Sequence, residues 1–241
     1  MLINQEICQH LRGEIHDKGF QVKFQFEPDD FIYKSRNDLL SSLCKGKEII
    51  HIGCVDHNIE TIKIKLRKGK WLHKILCDRA KRCFGVDIHK EGIKYIAENL
   101  NLKDVAAFNI ISDTNPAINN NFWDYMLIPD VIEHLNNPIE FLRTIHKKYP
   151  RNVNSVVITA PNSFTRLNMK NARRGVECIN SDHRFWFTPF TLIKLAVLAG
   201  FAVKRIHMCS HGEINRPSFF YPMQSRYPLI RSSIVVELNF S

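Results

Sequence analysis

The stretch EIIHIGCVDH, residues 48–57, is a short apolar run that ends at Gly53 and then turns polar. Glycine at the end of a strand lets the backbone turn tightly and approach a ligand, and a helix N-terminus that follows offers free N–H groups to an anion. A single glycine also fits an ordinary strand-to-helix turn. The stretch predicts a strand and a candidate ligand-binding turn. The turn residues expected at the ligand are Gly53, Cys54, Asp56 and His57.

Short β-rich runs alternate with longer amphipathic stretches along most of the chain. This alternation is typical of a parallel sheet covered by helices. The predicted strands are 48–53, 82–88, 105–111, 123–128, 155–160, 201–208 and 234–240, and the predicted helices are 71–81, 90–99, 138–148 and 189–199. The pattern predicts an α/β fold with a Rossmann-like, doubly wound, mostly parallel seven-stranded sheet and helices on both faces.

The length of 241 residues suits one large α/β domain with additions. Residues 1–47 predict an N-terminal extension of two short helices outside the sheet, and residues 48–241 form the main domain. The segment 161–184 is polar and basic, and it is longer than a passive connection needs to be. We therefore expect it to form a lid over a site. The segment 211–233, rich in proline and aromatic residues, predicts a loop over one sheet edge.

The composition limits the class of protein. No run reaches the roughly 18 apolar residues that a membrane span needs, and the seven cysteines are scattered, which favours free thiols in the cytoplasm. No CxxC pair is present, so no metal site is expected. The net charge of +10 favours an acidic partner such as RNA or a phosphorylated metabolite, although the basic residues are dispersed as on an ordinary solvated surface.

Acidic residues follow two further predicted strands. In GVDI, residues 85–88, Asp87 can accept both ribose hydroxyls of an adenosine, with Ile88 beside it, or it can cap the helix that follows. Asp87 lies further from Gly53 than the roughly 20 residues of a compact dinucleotide fingerprint. Asp113 is placed to accept from an adenine amino group, or it forms a turn in SDTNP.

The predicted fourth strand runs into an acidic turn that carries a histidine. The stretch is DYMLIPDVIEHL, residues 124–135, and Asp130, Val131 and His134 lie beyond the carboxyl end of its strand. Ligands bind at that edge of such sheets. We therefore expect Asp130 and Val131 near a cofactor and His134 near the reacting groups.

These motifs, in this order, resemble those of class I S-adenosylmethionine-dependent methyltransferases. IIHIGCVDH is similar to the family's first motif, GVDI to its ribose-binding motif, and DYMLIPDVIEHLNNPIEFL to the strand and turn that follow. ITAPNSF and DHRFWFTPFTLIKLAVLAGF resemble later stretches of many small-molecule and glycan methyltransferases. The resemblance covers roughly residues 46–208 and is strongest to the branch associated with bacterial surface-polysaccharide genes.

The resemblance implies S-adenosylmethionine as cofactor and a small sugar-derived or glycan acceptor that is methylated on oxygen. His183 and His134 are the candidate general bases, because histidine suits proton transfer near neutral pH. His183 is slightly favoured, because Asp182 and Arg184 beside it could set its charge and hold a substrate. Arg166, Lys170, Arg173, Arg174 and Arg184 of the predicted lid could contact an anionic acceptor. Val55 and His57 stand where the family usually has glycines, so the turn is expected to take a different path.

Several alternatives stay open or are disfavoured by the sequence. Ribose methylation of RNA and a non-catalytic cofactor-binding relative both stay open. A nicotinamide oxidoreductase is disfavoured because G-x-G-x-x-G is missing. Amino-group methylation of nucleic acid would need a Pro-Pro-aromatic element where the chain has Ile-Pro-Asp-Val, and cytosine C5 methylation would need a Pro-Cys pair, which the chain lacks.

Overall fold

The computed structural model describes residues 5–15, 19, 21–26, 35–212 and 226–241. Its strands are β1 Glu48–Ile52, β2 Arg82–Asp87, β3 Val105–Ala107, β4 Trp123–Pro129, β5 Val153–Pro161, β6 Phe201–Cys209 and β7 Ser233–Phe240. Its helices are α1 Gln5–Arg12, α2 Arg36–Leu43, α3 Ile59–Arg67, α4 Leu72–Cys77, α5 Lys90–Asn99, α6 Pro116–Asn119, α7 Pro138–Lys148, α8 Arg166–Ala172 and α9 Pro189–Leu198. Short 3₁₀ turns cover Ile132–His134 and Pro228–Ile230. No helix within these ranges is long and apolar enough to cross a bilayer.

The strands form one sheet in the order β3-β2-β1-β4-β5-β7-β6. The first five strands of this order pair in parallel, and β7 runs antiparallel to both of its neighbours. The strand order changes direction between β1 and β4, which is where sheets of this type bind ligands, beyond the carboxyl ends of the strands. The predicted Rossmann-like, mostly parallel seven-stranded fold is confirmed.

The central strands are apolar on both sides, because helices cover both faces of the sheet. Ile50 and Met126 belong to the larger core cluster, which α7 and α9 cover, whereas Ile49 and Leu127 belong to the cluster under α2 and α4. Side chains of successive strand residues point to opposite faces, so neighbouring residues of one strand enter different clusters.

The two helices of the predicted N-terminal extension both pack on the rest of the fold. Leu39 and Leu40 of α2 lie in the core cluster that contains Ile49 of β1. Leu11 of α1 is buried against Ile193 of α9. The sheet side of α2 therefore contributes to the core, and its first residue reaches the edge of the sheet where ligands bind.

The third strand is shorter than the predicted run 105–111, which was wrong beyond Ala107. The side-chain oxygen of Asn109 accepts the N–H of Ile111 at 3.0 Å, and the carboxylate of Asp113 accepts the N–H of Asn109 at 3.0 Å. Such local side-chain bonds compete with the strand ladder and favour turns. The apolar pattern alone could not show that these polar residues would end the strand.

Two further local differences concern helices. The predicted helix 71–81 ends at Cys77, because the N–H groups of Arg79 and Ala80 both turn back to the carbonyl of Leu76. Three helices were not predicted from the sequence: α3, which begins at the N-cap Asn58, the short α6, and α8, which lies inside the predicted lid. Each of these helices has a polar cap but no long apolar face.

Candidate active site

A cavity of about 1180 Å³ lies at the carboxyl ends of β1, β2 and β4. Its volume is above the usual 300–1,000 Å³ of a small-molecule site, which suits a cofactor together with an acceptor. All but one of the site residues predicted from the sequence line it. They are Gly53, Cys54, Asp56, His57, Asp87, Ile88, Asp130, Val131, His134 and His183.

The turn after β1 needs glycine only at its first position. Gly53 has φ +77°, and a Cβ there would lie 2.9 Å from a methyl carbon of Val131. The other positive φ angles fall on Asp56 and His57, at 59° and 72°. Aspartate and histidine enter this region more readily than β-branched residues do. The turn therefore takes the different path that Val55 required.

Val55 is buried in the core and does not line the cavity. Only 1% of it is exposed, and it packs on the glycine at position 92 of α5. A Cβ at Gly92 would lie 2.4 Å from a methyl carbon of Val55. The side chain that replaces a glycine of the usual turn is thus accommodated by a glycine in the facing helix.

Asp87 holds the turn and the start of α5 together. One carboxylate oxygen accepts the N–H of Val55 at 2.9 Å, and the other accepts the N–H of His89 at 3.0 Å. A carboxylate has about four acceptor positions, so two remain on the side that lines the cavity. The side chain can therefore accept ligand hydroxyls without giving up its backbone contacts.

Asp113 does not reach the cavity wall. Its carboxylate folds back on the N–H of Asn109 and on the hydroxyl of Ser112, and these contacts lower its pKa. The turn interpretation of SDTNP describes this residue, and its predicted role at an adenine amino group gains no support from its position. Asn109, Ile110 and Ile111 of the same segment do line the cavity.

Arg36, the first residue of α2, reaches the cavity and forms an ion pair with Asp130. Asp130 has φ +51° and also accepts the hydroxyl of Thr159 at 2.6 Å. Burial lowers the pKa of Arg36, while the charges of Asp56 and Glu133 raise it. The neighbouring His211, whose Nδ1 lies 3.5 Å from Asp130, has its pKa lowered to about 4 by desolvation and by the positive charges of Arg36 and Lys65.

The sequence analysis missed Arg36. It precedes β1 and lies outside the stretch that resembles the family. A hydrophilic helix start at Ser35, which caps α2, was the only local signal. The second cation at the cavity wall, Lys65 of α3, bonds Asp56 at 2.6 Å and so fixes the far end of the turn.

A buried carboxyl group lies behind the histidine of the fourth-strand turn. Glu133 is 1% exposed, and neither of its oxygens has a hydrogen-bond partner among the described residues. Burial raises its pKa to about 7, against smaller opposite effects of the residue's own backbone N–H and of the charge of Arg36. A carboxyl group with this environment exchanges its proton near neutral pH.

Three histidines cluster at the acceptor side of the cavity. The rings of His134 and His183 contact edge to face with centroids 4.9 Å apart, and His57 lies 6.3 Å from His134. The Nδ1 atom of His134 lies 3.1 Å from the carbonyl oxygen of Asp182. Because a carbonyl only accepts, Nδ1 carries the proton and Nε2 of the neutral ring is left as an acceptor. Partial burial lowers the pKa of His183.

The end of the predicted lid is fixed to this turn by Arg184. Its backbone N–H bonds the carbonyl of Glu133 at 2.7 Å, and its guanidinium bonds the carbonyl of His134 and the side chain of Asn136, each at 2.5 Å. The guanidinium of Arg184 is therefore hydrogen-bonded within the protein. The other basic residues predicted to face an acceptor do not line the cavity; they are Arg166, Lys170, Arg173 and Arg174.

Two groups of side chains in the described ranges have the spacing of metal ligands. One is Glu133, His134 and His183, and the other is His73, Cys77 and Cys83; in each group one ligand atom per residue lies within 4.8 Å of the others. The second group was not expected from the sequence. A hydrogen bond from Cys83 lowers the pKa of Cys77 to about 5.

The fold and the cavity belong to a known class of enzyme. A family model described as a methyltransferase domain matches residues 30–206. None of the curated proteins matches the chain significantly. The chain belongs to this methyltransferase-domain family, and it is an S-adenosylmethionine-dependent methyltransferase of class I.

Solved structures of methyltransferases share the fold. The small RNA methyltransferase HEN1 is 14% identical with a TM-score of 0.57, over 94% of this chain and 27% of HEN1. Magnesium protoporphyrin IX methyltransferase ChlM from Synechocystis PCC 6803, with bound SAH, is 12% identical with a TM-score of 0.53, over 85% of this chain and 82% of ChlM. The chain thus spans about a quarter of the length of HEN1.

Proposed function

We propose that the protein methylates a hydroxyl group of a small, sugar-derived or glycan acceptor, and that His134 is the general base, with His183 holding the acceptor beside it. The observation that carries this proposal is the contact of His134 Nδ1 with the Asp182 carbonyl at 3.1 Å. It leaves Nε2 of a cavity-lining histidine ready to accept a proton. The sequence slightly favoured His183; the hydrogen bond favours His134.

The cavity also has the features that the cofactor needs. When bound, S-adenosylmethionine supplies an electrophilic methyl group on a sulfonium. Asp87 would accept its ribose hydroxyls with the acceptor positions left over from Val55 and His89. Ile88 is 76% exposed next to buried strand residues, which suits an apolar contact with the adenine ring.

The ion pair of Arg36 and Asp130 fits the charged end of the cofactor. The methionyl group carries a carboxylate and an ammonium, and a guanidinium beside a carboxylate offers one partner to each. The ion pair is held in place, because Thr159 bonds Asp130 and the side chain of Arg36 is 10% exposed. The turn at Gly53 lets this end approach the backbone closely.

The proton chemistry follows from the histidine cluster. As a hydroxyl oxygen forms its bond to carbon, it loses its proton, and Nε2 of His134 can take it. The edge-to-face ring of His183 limits how His134 can turn. The protein mainly aligns the nucleophile, since methyl transfer is an in-line displacement.

The acceptor class is supported by the resemblance of residues 158–164 and 182–201 to small-molecule and glycan methyltransferases. It is also supported by the absence of Arg166, Lys170, Arg173 and Arg174 from the cavity wall. A nucleic acid would be held by cations along its backbone. Methylation of RNA, the activity in the name of HEN1, is the second candidate, and the net charge of +10 favours it.

The test is a screen of nucleotide sugars, oligosaccharides and short RNAs, scored by release of S-adenosylhomocysteine. With the acceptor found, His134→Ala should lower turnover by about 10²–10⁴-fold and leave cofactor affinity nearly unchanged. His10→Ala in α1, remote from the cavity, is the control. Release with RNA alone would contradict the glycan proposal, and full activity in both His134→Ala and His183→Ala would remove the histidine base.

A further inference from the structure

The second group with ligand spacing lies behind the turn at Gly53, with His51 beside it, and we name the four residues His51, His73, Cys77 and Cys83 the thiol–imidazole cluster. We propose that the thiol–imidazole cluster is a zinc site, with His73, Cys77 and Cys83 as ligands and His51 as the partner that orients the ring of His73. Nothing in the proposed methyl transfer uses these residues, so the proposal is independent of the acceptor and of the base.

The spacing of three ligand atoms suits one metal ion. With Zn–S of about 2.3 Å and Zn–N of about 2.0–2.1 Å, neighbouring nitrogen and sulfur ligands of a tetrahedral site lie about 3.6 Å apart. One ring nitrogen of His73 and the Sγ atoms of Cys77 and Cys83 lie within 4.8 Å of one another, and each sulfur lies 3.7 Å from a ring nitrogen of His73. Nδ1 of His51 lies 3.1 Å from Nδ1 of His73, as a partner that orients a ligating histidine does.

Three elements of the fold build the thiol–imidazole cluster. His73 and Cys77 are four residues apart on α4, so they share a helix face. Cys83 is the second residue of β2, and His51 lies on β1 opposite Gly85. The glycine makes room for the imidazole, because a Cβ at position 85 would lie 2.7 Å from Cε1 of His73 and 2.9 Å from Sγ of Cys54.

A cation would bind here without leaving a buried net charge. Both histidines are buried, with 2% and 0% exposure. Binding of a dication by His73, Cys77 and Cys83 converts two thiols to thiolates and releases their two protons to solvent, so the site stays neutral as a whole.

The ligand set selects the cation. Two thiolates and one imidazole are a ligand set of zinc, whereas magnesium and calcium prefer oxygen. The site would join β1, β2 and α4 behind the cofactor cavity, whose wall includes His51 and His73. Cys77 is partly exposed and provides an entry path for the ion.

The experiment uses the whole chain without a histidine tag, reduced and stripped of metal, and titrated with cobalt(II) alone as an optical probe. We expect one equivalent to produce a thiolate-to-cobalt charge-transfer absorption that zinc abolishes. Cys77→Ser should lower the cobalt affinity by at least about 10–100-fold. Cys178→Ser, which changes an exposed cysteine of the lid, should leave the absorption unchanged.

The optical readout distinguishes metal bound at this site from metal bound elsewhere in the protein. Cobalt bound by Glu133, His134 and His183 would lack any thiolate absorption, since that group contains no sulfur. Cys83→Ser serves as the second variant, with S-adenosylhomocysteine affinity as the check that each variant is folded. Absence of the charge-transfer absorption, or an absorption that is unchanged in both variants, would overturn the proposal.

Discussion

The buried carboxyl of Glu133 gives a stability test that can be worked out from its environment. Its pKa rises from an ordinary 4.5 to about 7, and burial is the largest cause. One pKa unit corresponds to about 1.4 kcal/mol, so the rise is worth about 3 kcal/mol as an order of magnitude. Replacement by glutamine keeps the shape and removes the ionisation. Glu133→Gln should therefore stabilise the protein at alkaline pH and not at acidic pH.

The sign follows from proton binding. The folded protein holds this proton more tightly than the unfolded chain does, so the wild type loses unfolding free energy as the pH rises from about 4.5 to about 7. The variant lacks this loss. Its stability advantage over the wild type should grow by about 2–3 kcal/mol between pH 5 and pH 8 and change little above that.

Chemical denaturation at a series of pH values measures this difference, with chelator present throughout. The comparison with the wild type cancels the titration of all other groups that the substitution does not affect. Glu140→Gln, an exposed change on α7, is the matched control and should show no pH-dependent advantage. A constant difference between Glu133→Gln and wild type across the pH range, or an advantage that grows at acidic pH, would refute the reasoning.

Three further predictions follow from the cavity and its supports. Arg36→Met should weaken S-adenosylhomocysteine binding by more than about tenfold in calorimetry, with Arg12→Met of α1 unchanged; equal affinities would remove Arg36 from the cofactor site. Gly92→Ala should lower unfolding free energy by about 1–3 kcal/mol through overpacking against a methyl carbon 2.4 Å away, and Val55→Ala in the same chain should restore part of the loss. Cleavage within residues 161–184 by a protease should slow when cofactor and acceptor are added; identical cleavage rates would exclude a closing lid.

The strands could be predicted from the sequence because each is a short apolar run of β-forming residues that ends at a glycine, a proline or a polar turn residue. The doubly wound, mostly parallel sheet followed from the alternation of strands and helices and from the family resemblance. The end of β3 could not be predicted, since it depends on Asn109 and Asp113 bonding their own backbone.

The cavity residues at strand ends were predictable for the same reason, because the carboxyl ends of parallel strands meet at one edge. Arg36 was not, since its role depends on how α2 packs across the sheet. The pair His73 and Cys77 has helical ligand spacing, yet a search for CxxC or HxxxH alone overlooks it. Its partners Cys83 and His51 come from two strands, and only the fold brings them together.

Binding of S-adenosylhomocysteine to Asp87 variants tests the central claim most directly. Loss of two hydroxyl-to-carboxylate hydrogen bonds in Asp87→Ala should cost about 2–4 kcal/mol, or roughly 30- to 1000-fold in affinity by calorimetry. Asp87→Asn keeps one acceptor oxygen for the backbone and reports whether the turn still folds. Asp113→Ala is the matched control and should bind S-adenosylhomocysteine as the wild type does. Unchanged affinity in Asp87→Ala and Asp87→Asn, in folded protein, would contradict the placement of the ribose at the end of β2.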